Sequence, residues 1–229
     1  MNFLFPAQGP ASAAFFGRSD RLPVNRIYCV GRNYAAHARE MGSDPDREPP
    51  FFFQKPADAL VEDGSVIPYP PATENLHHEV ELVVAVGREG AAIDPARALE
   101  HVIGYGVGID LTRRDLQLQA RNAGRPWEAG KAFDRSAPLA PLRHVDEVGH
   151  PTSGRIWIDV DGQRRQDADI SDLIWSVPQV IGHLSLLWTL RPGDLIFTGT
   201  PEGVGAIARG QRMEAGIDGL GLLNVEIGS

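Results

Sequence analysis

The chain has 229 residues, with 30 acidic against 22 basic side chains and a formal net charge of −8. That balance, without any Lys/Arg-rich run, argues against nucleic-acid binding, and no stretch nears the ~18 consecutive apolar residues of a membrane-spanning helix. Cys29 is the only cysteine, which excludes an intrachain disulfide or a cysteine-built zinc cluster and suits a reducing cytoplasm.

A chain this long forms one domain, or one domain with a small appendage, and can bury a core without a structural metal. All but two of its basic residues are arginine, the exceptions being Lys55 and Lys131. A lysine kept in such a background marks a place where a compact ammonium fits and a wide guanidinium does not.

Residues 1–16 are apolar but carry Pro6, Gly9 and Pro10 and no basic residue, so they do not read as a signal peptide. Residues 26–30 (RIYCV) predict a buried strand, 34–41 a helix ended by Gly42, and 51–54 (FFFQ) a strand broken at Pro56. Residues 79–86 (EVELVVAV) predict a strand buried on both faces, followed by a short helix over 95–101. Residues 102–111 (VIGYGVGIDL) predict a strand whose glycines at 104, 106 and 108 mark a bend or a close backbone approach.

A helix is expected over 112–123. Residues 155–160 (RIWIDV), then Asp161-Gly162, predict a hairpin. The longest helix is expected over 170–190, capped by Asp169 or Ser171. Strands close the chain at 194–198 and 222–227. Strands and helices do not alternate, which gives an α+β class. Trp157, Trp175 and Trp188 read as core or interface residues, and Cys29 as an inert core thiol.

Glu79 and Glu81 stand two apart on a strand and therefore share a face. Paired carboxylates on an apolar strand are costly unless neutralised, and a hard divalent cation neutralises them well. Asp110, at the end of the glycine-spaced strand, is the natural third ligand. The alternative is a solvent-facing pair on an edge strand. His77 and His78 could also ligate, although turn histidines are the simpler reading.

Six segments together carry a resemblance: GRNYAAHAREMG (31–42), FFFQKPADAL (51–60), HHEVELVVAVG (77–87), GYGVGIDLTRRDLQ (104–117), GRPWEAGKAFDRSAPLAP (124–141) and TGTPEGVG (198–205). The chain resembles the fumarylacetoacetate hydrolase family, most of all its smaller acylpyruvate and bacterial fumarylpyruvate hydrolases. The resemblance implies a β-rich mixed β-roll or sandwich with a few short helices, divided as an N-terminal extension (1–22) and a catalytic domain (23–229). It also implies a homodimer and one Mg²⁺ or Mn²⁺ per subunit on Glu79, Glu81 and Asp110. Lys131 would lie beside the metal, and His37 with Glu40 would form a catalytic dyad.

The implied reaction is hydrolysis of an acylpyruvate, with fumarylpyruvate giving fumarate and pyruvate in gentisate-type aromatic degradation. His37 and Glu40, three apart on a helix, suit a base and its orienter. A dianionic substrate needs further cations, and Arg32 is the first candidate, with Lys55 or Arg114 as others. Gln117 and Thr200 are the remaining expected substrate contacts; the Thr200 segment can equally serve as a structural turn. The same site would also suit oxaloacetate decarboxylation or keto–enol isomerisation.

Overall fold

The computed structural model describes residues 4–6, 9–35 and 49–229. Its centre is an eight-stranded mixed sheet, entered from one edge as Phe51–Lys55, Ile27–Gly31, Leu195–Phe197, Val80–Val86, Val102–Ile109, Ala137–Leu139 and Leu60–Glu62, with Arg143–His144 pairing alongside Val102–Ile109. A second sheet runs Gln163–Asp169, Arg155–Val160, Arg212–Ile217, Gly221–Ile227 and Val66–Ile67. Helices are few, and the curled, strand-rich architecture is the α+β roll expected from the sequence.

Val80–Val86 is buried at every position. Strand alternation explains how a sheet uses both sides of such a segment. Val80, Leu82, Val84 and Val86 enter the core between the two sheets, against Ile156, Ile158, Ala215 and Leu223. Val83 and Ala85 enter a second core with Phe197, Cys29, Leu139 and Leu142. A short antiparallel pair, Ser12–Ala14 with Arg21–Pro23, closes over that second core. Ala13, Phe15 and Leu22 pack into it, and the Phe16 and Leu142 amides donate to Leu142 O and Ala14 O at 2.8 Å each.

The glycines of Val102–Ile109 leave room for side chains that lie across the strand. A Cβ added at Gly108 would lie 2.5 Å from Val83 Cγ2 and 2.6 Å from Phe197 Cε1. The close approach expected from sequence is therefore real, and it lets this strand lie flat against its neighbours. The Asp161-Gly162 hairpin also forms, both residues having positive φ (49° and 75°), as a two-residue loop between twisted strands requires.

The expected helix over 170–190 is a correction. Asp169 caps only a single 3₁₀ turn, Ile170–Asp172, through Ser171 N–H at 2.8 Å. The α-helix is Val177–Leu187, capped by Ser176 with Gln179. Pro178 explains the break: its ring and missing N–H are tolerated only in a helix's first turn. The sequence reading also missed the strands Leu60–Glu62, Leu76–His78, Ala137–Leu139 and Arg212–Ile217. The helix expected over 34–41 lies, from residue 36 on, outside the described residues.

Gly108→Ala should lower unfolding stability by about 1–3 kcal/mol, the usual cost of overpacking. Urea unfolding checks this, and an unchanged midpoint would contradict the packing described.

Candidate metal centre and active site

Glu79 links the strand Leu76–His78 to Val80–Val86, Glu81 lies inside the latter, and Asp110 follows Ile109 directly. Val80 pairs with Ile109, and Asp110 N–H donates to Glu79 O at 2.8 Å, so two antiparallel strands end together. That register places carboxylate oxygens of Glu79, Glu81 and Asp110 within 4.8 Å of one another, all three side chains buried. The alternative of a solvent-facing edge pair does not hold.

Three cations surround the triad. Lys131, on the short helix Glu128–Lys131, donates to Glu79 Oε2 (2.8 Å), Asp110 Oδ2 (2.5 Å) and Thr112 Oγ1 (2.7 Å). Those contacts use all three of its N–H bonds. Arg114 pairs with Glu79 Oε1 and donates to Gln117 Oε1 at 2.5 Å. Lys55 Nζ stands 2.8 Å from Asp110 Oδ1, in charge contact without hydrogen-bond alignment, and donates to Leu111 O (3.1 Å) and Lys131 O.

The electrostatics follow from burial. Desolvation first, then the charges of Asp110 and Glu79, push the Glu81 carboxyl well above its ordinary range, with Lys131 and the Gly199 N–H opposing. Burial also disfavours the Lys131 charge, but Asp110 and Glu79 outweigh it and hold the ammonium above the usual lysine range. An all-oxygen set of three buried carboxylates, of which Glu81 has no ion pair among the described residues, fits a hard divalent cation such as Mg²⁺ or Mn²⁺.

The histidines do not join the set. His77 faces Asn75 Oδ1 (2.9 Å) and Arg114 Nε (3.4 Å), and burial with Arg114 drives its pKa down to about 4. His78 Nδ1 faces Gln166 Oε1 at 3.1 Å.

A cavity opens over the triad, lined also by Arg32, Phe53, Arg114, Gln117, Trp127, Lys131 and Thr200. The structure thus gathers Arg32, Gln117 and Thr200 around the three ligands. Arg114 and Gln117 share a helix face within Arg114–Asn122, and both are buried. Arg32 takes a left-handed backbone (φ 59°) and stacks 5.4 Å from the Phe51 ring. Lys55 is different: fully buried behind Asp110, it is not among the residues lining the cavity. His37 and Glu40 lie outside the described residues.

Sequence reading missed two members. The Gly199 N–H donates to Glu81 Oε2 at 2.7 Å and so orients that carboxylate. Gly199 adopts φ +100°, and a Cβ there would sit 2.7 Å from Asn33 Cβ, so the TGTP spelling carried a usable signal. Gln166 bridges Thr200 and the ligand strand from the other sheet, and nothing in its local sequence announces it.

Comparison with known proteins adds three findings. The family described as fumarylacetoacetate (FAA) hydrolase C-terminal matches residues 26–227. The crystal structure of fumarylpyruvate hydrolase from Pseudomonas aeruginosa, in complex with Mn²⁺ and pyruvate, is 57% identical, covers 99% of both chains and superposes with a TM-score of 0.97. The mitochondrial oxaloacetate tautomerase FAHD1 of Rattus norvegicus is 43% identical over 85% of this chain and 87% of its own; that of Arabidopsis thaliana is 40% identical over 88% and 90%.

Because burial and its neighbouring carboxylates raise the Glu81 carboxyl, protons compete with Mn²⁺ for it, and Mn²⁺ affinity should rise with pH. Calorimetry in buffers of different ionisation enthalpy should report proton release. Heats independent of the buffer would contradict the charge balance drawn here.

Proposed function

The chain belongs to the fumarylacetoacetate hydrolase family, and from that premise we propose that it is a metal-dependent hydrolase of acylpyruvates, cleaving fumarylpyruvate to fumarate and pyruvate. The 57% identity to a fumarylpyruvate hydrolase over 99% of both chains carries this reading. Charge supports it: three carboxylates face three buried cations, so a bound divalent ion leaves a positive surplus. A dianionic 2,4-dioxo acid matches that surplus.

A divalent cation held by Glu79, Glu81 and Asp110 supplies Lewis acidity and a fixed template for a chelating 2-oxo carboxylate. His37 takes a proton from water, with Glu40 holding the imidazole in one tautomer. The resulting hydroxide attacks the distal C4 carbonyl and the C3–C4 bond breaks. The electron pair leaves with the pyruvyl half as an enolate, which gains a proton to become pyruvate.

Lys131 acts by aligning Glu79 and Asp110 and by its compact charge, since its donors are spent on protein atoms. Arg32 and Arg114 supply charge for the substrate's carboxylates, with Gln117 and Thr200 as polar contacts. Lys55 braces Asp110 from behind. In the same reading the chain works as a cytoplasmic homodimer in gentisate-type aromatic degradation. Exposed Leu186, Leu187 and Leu222 and the single buried thiol are compatible with this.

A second reading is favoured by the oxaloacetate tautomerase relatives, 43% identical over 85% of the chain. Tautomerisation needs proton transfer at C3 but no water attack, so it uses the same site without His37 as a hydrolytic base.

The Mn²⁺-loaded chain should convert fumarylpyruvate to equal amounts of fumarate and pyruvate; turnover of oxaloacetate alone would favour the second reading. His37→Ala should lower the hydrolysis rate about 100-fold or more and spare tautomerisation. Full hydrolytic rate in that variant would contradict the mechanism. Lys131→Arg should lose most activity despite keeping the charge, and wild-type turnover would contradict its role.

A further inference from the structure

Gln166 is the one residue of the Gln163–Asp169 strand that is fully enclosed, only 1% exposed among largely exposed arginine and aspartate neighbours. A register shift explains its aim: Ile158 pairs with Gln166 but Asp159 pairs with Arg164, so Arg165 has no partner and the strand bulges. The side chain thereby crosses from the second sheet to the metal centre. Two of its neighbours fix which way the amide points, because each has only one role. Val80 N, between Glu79 and Glu81, can only donate and lies 3.1 Å from Oε1; Pro201 O can only accept and lies 2.8 Å from Nε2.

The other two contacts follow. Nε2 is also 2.8 Å from Thr200 Oγ1, so that hydroxyl accepts. Oε1 is also 3.1 Å from His78 Nδ1, so that nitrogen carries the ring proton. All four hydrogen-bonding positions of the amide are filled. The proton of Thr200 is therefore turned away from Gln166, and Thr200 lines the cavity above the triad. A hydroxyl that accepts from an amide is polarised to donate more strongly.

We propose that Gln166 is a positioning residue that directs the Thr200 hydroxyl proton into the cavity, where it donates to the carboxylate of a 2-oxo acid. The assignment rests on the functional reading above and deepens it. It makes the TGTP turn a directional anion site whose polarity is set by the opposite sheet.

Gln166→Glu tests this with little change of shape. A carboxylate still accepts from Val80 and His78, but its second oxygen takes the Thr200 proton and withdraws it from the cavity. A buried glutamate that gains a proton recovers one of the two donors and no longer takes the Thr200 proton, so the effect switches with pH. Pyruvate binding to the Mn²⁺-loaded variant, followed by calorimetry, should approach that of wild type measured at the same acid pH. It should weaken about tenfold or more towards alkaline pH, the range expected for a hydrogen bond to a charged group. Thr200→Val should lose as much, and the double variant no more than either.

Mn²⁺ affinity and kcat should hold while KM rises, a split that a merely structural role would not give. Gln166→Met, which cannot donate, should bind pyruvate weakly at every pH. Wild-type binding by both Gln166 variants across the pH range, or additive losses in the double variant, would overturn the assignment alone. A wild-type chain that binds no pyruvate would overturn the functional reading instead.

Discussion

Three carboxylates enclosed within 4.8 Å of one another would repel and desolvate one another severely in an empty apolar interior. The surrounding structure is arranged to hold them there. Lys131 lies against Glu79 and Asp110, Arg114 against Glu79, and Lys55 against the far oxygen of Asp110. The Gly199 N–H takes Glu81, the ligand left without a cation in contact among the described residues. Removing one partner from such a buried set costs far more than a surface pair would, about 3–5 kcal/mol. The remaining imbalance at Glu81 is what a divalent ion would relieve.

The two lysines that stood out against an arginine background show why compact donors are used. Each ammonium reaches three protein oxygens in a space closed to solvent, Lys131 on two carboxylates and a hydroxyl, Lys55 on one carboxylate and two backbone carbonyls. A planar guanidinium matches flat bidentate acceptors, not acceptors spread around one point. Arg114 can be an arginine because its targets, Glu79 and Gln117, lie side by side along one edge.

Much of this was legible beforehand, for reasons that differ by element. The Glu79–Glu81 spacing gives a shared face once the segment is extended, and the apolar run behind it announces both the strand and its burial. The glycines at 104, 106 and 108 signalled a close approach because few other causes interrupt a β-branched run. Gln166 was not legible, because its role arises from a bulge and from contacts with chain 34 residues away. The long helix over 170–190 failed because one proline at 178 moves a helix start without altering the apolar pattern. Lys55 was noticed for its chemistry, but only tertiary structure could place it behind Asp110 instead of beside a substrate.

The chain is similar both to a fumarylpyruvate hydrolase and to oxaloacetate tautomerases, and the same neutralised triad would serve either activity here, so the choice between them falls to the groups that handle water. On both readings of this chain the triad holds the cation, and dependence on that cation is the most direct test. Thoroughly chelated protein should lose turnover of fumarylpyruvate, and Mn²⁺ followed by electron paramagnetic resonance should restore it with saturation at one ion per chain. Undiminished turnover after chelation, or full Mn²⁺ binding by a Glu81→Ala variant, would contradict the account.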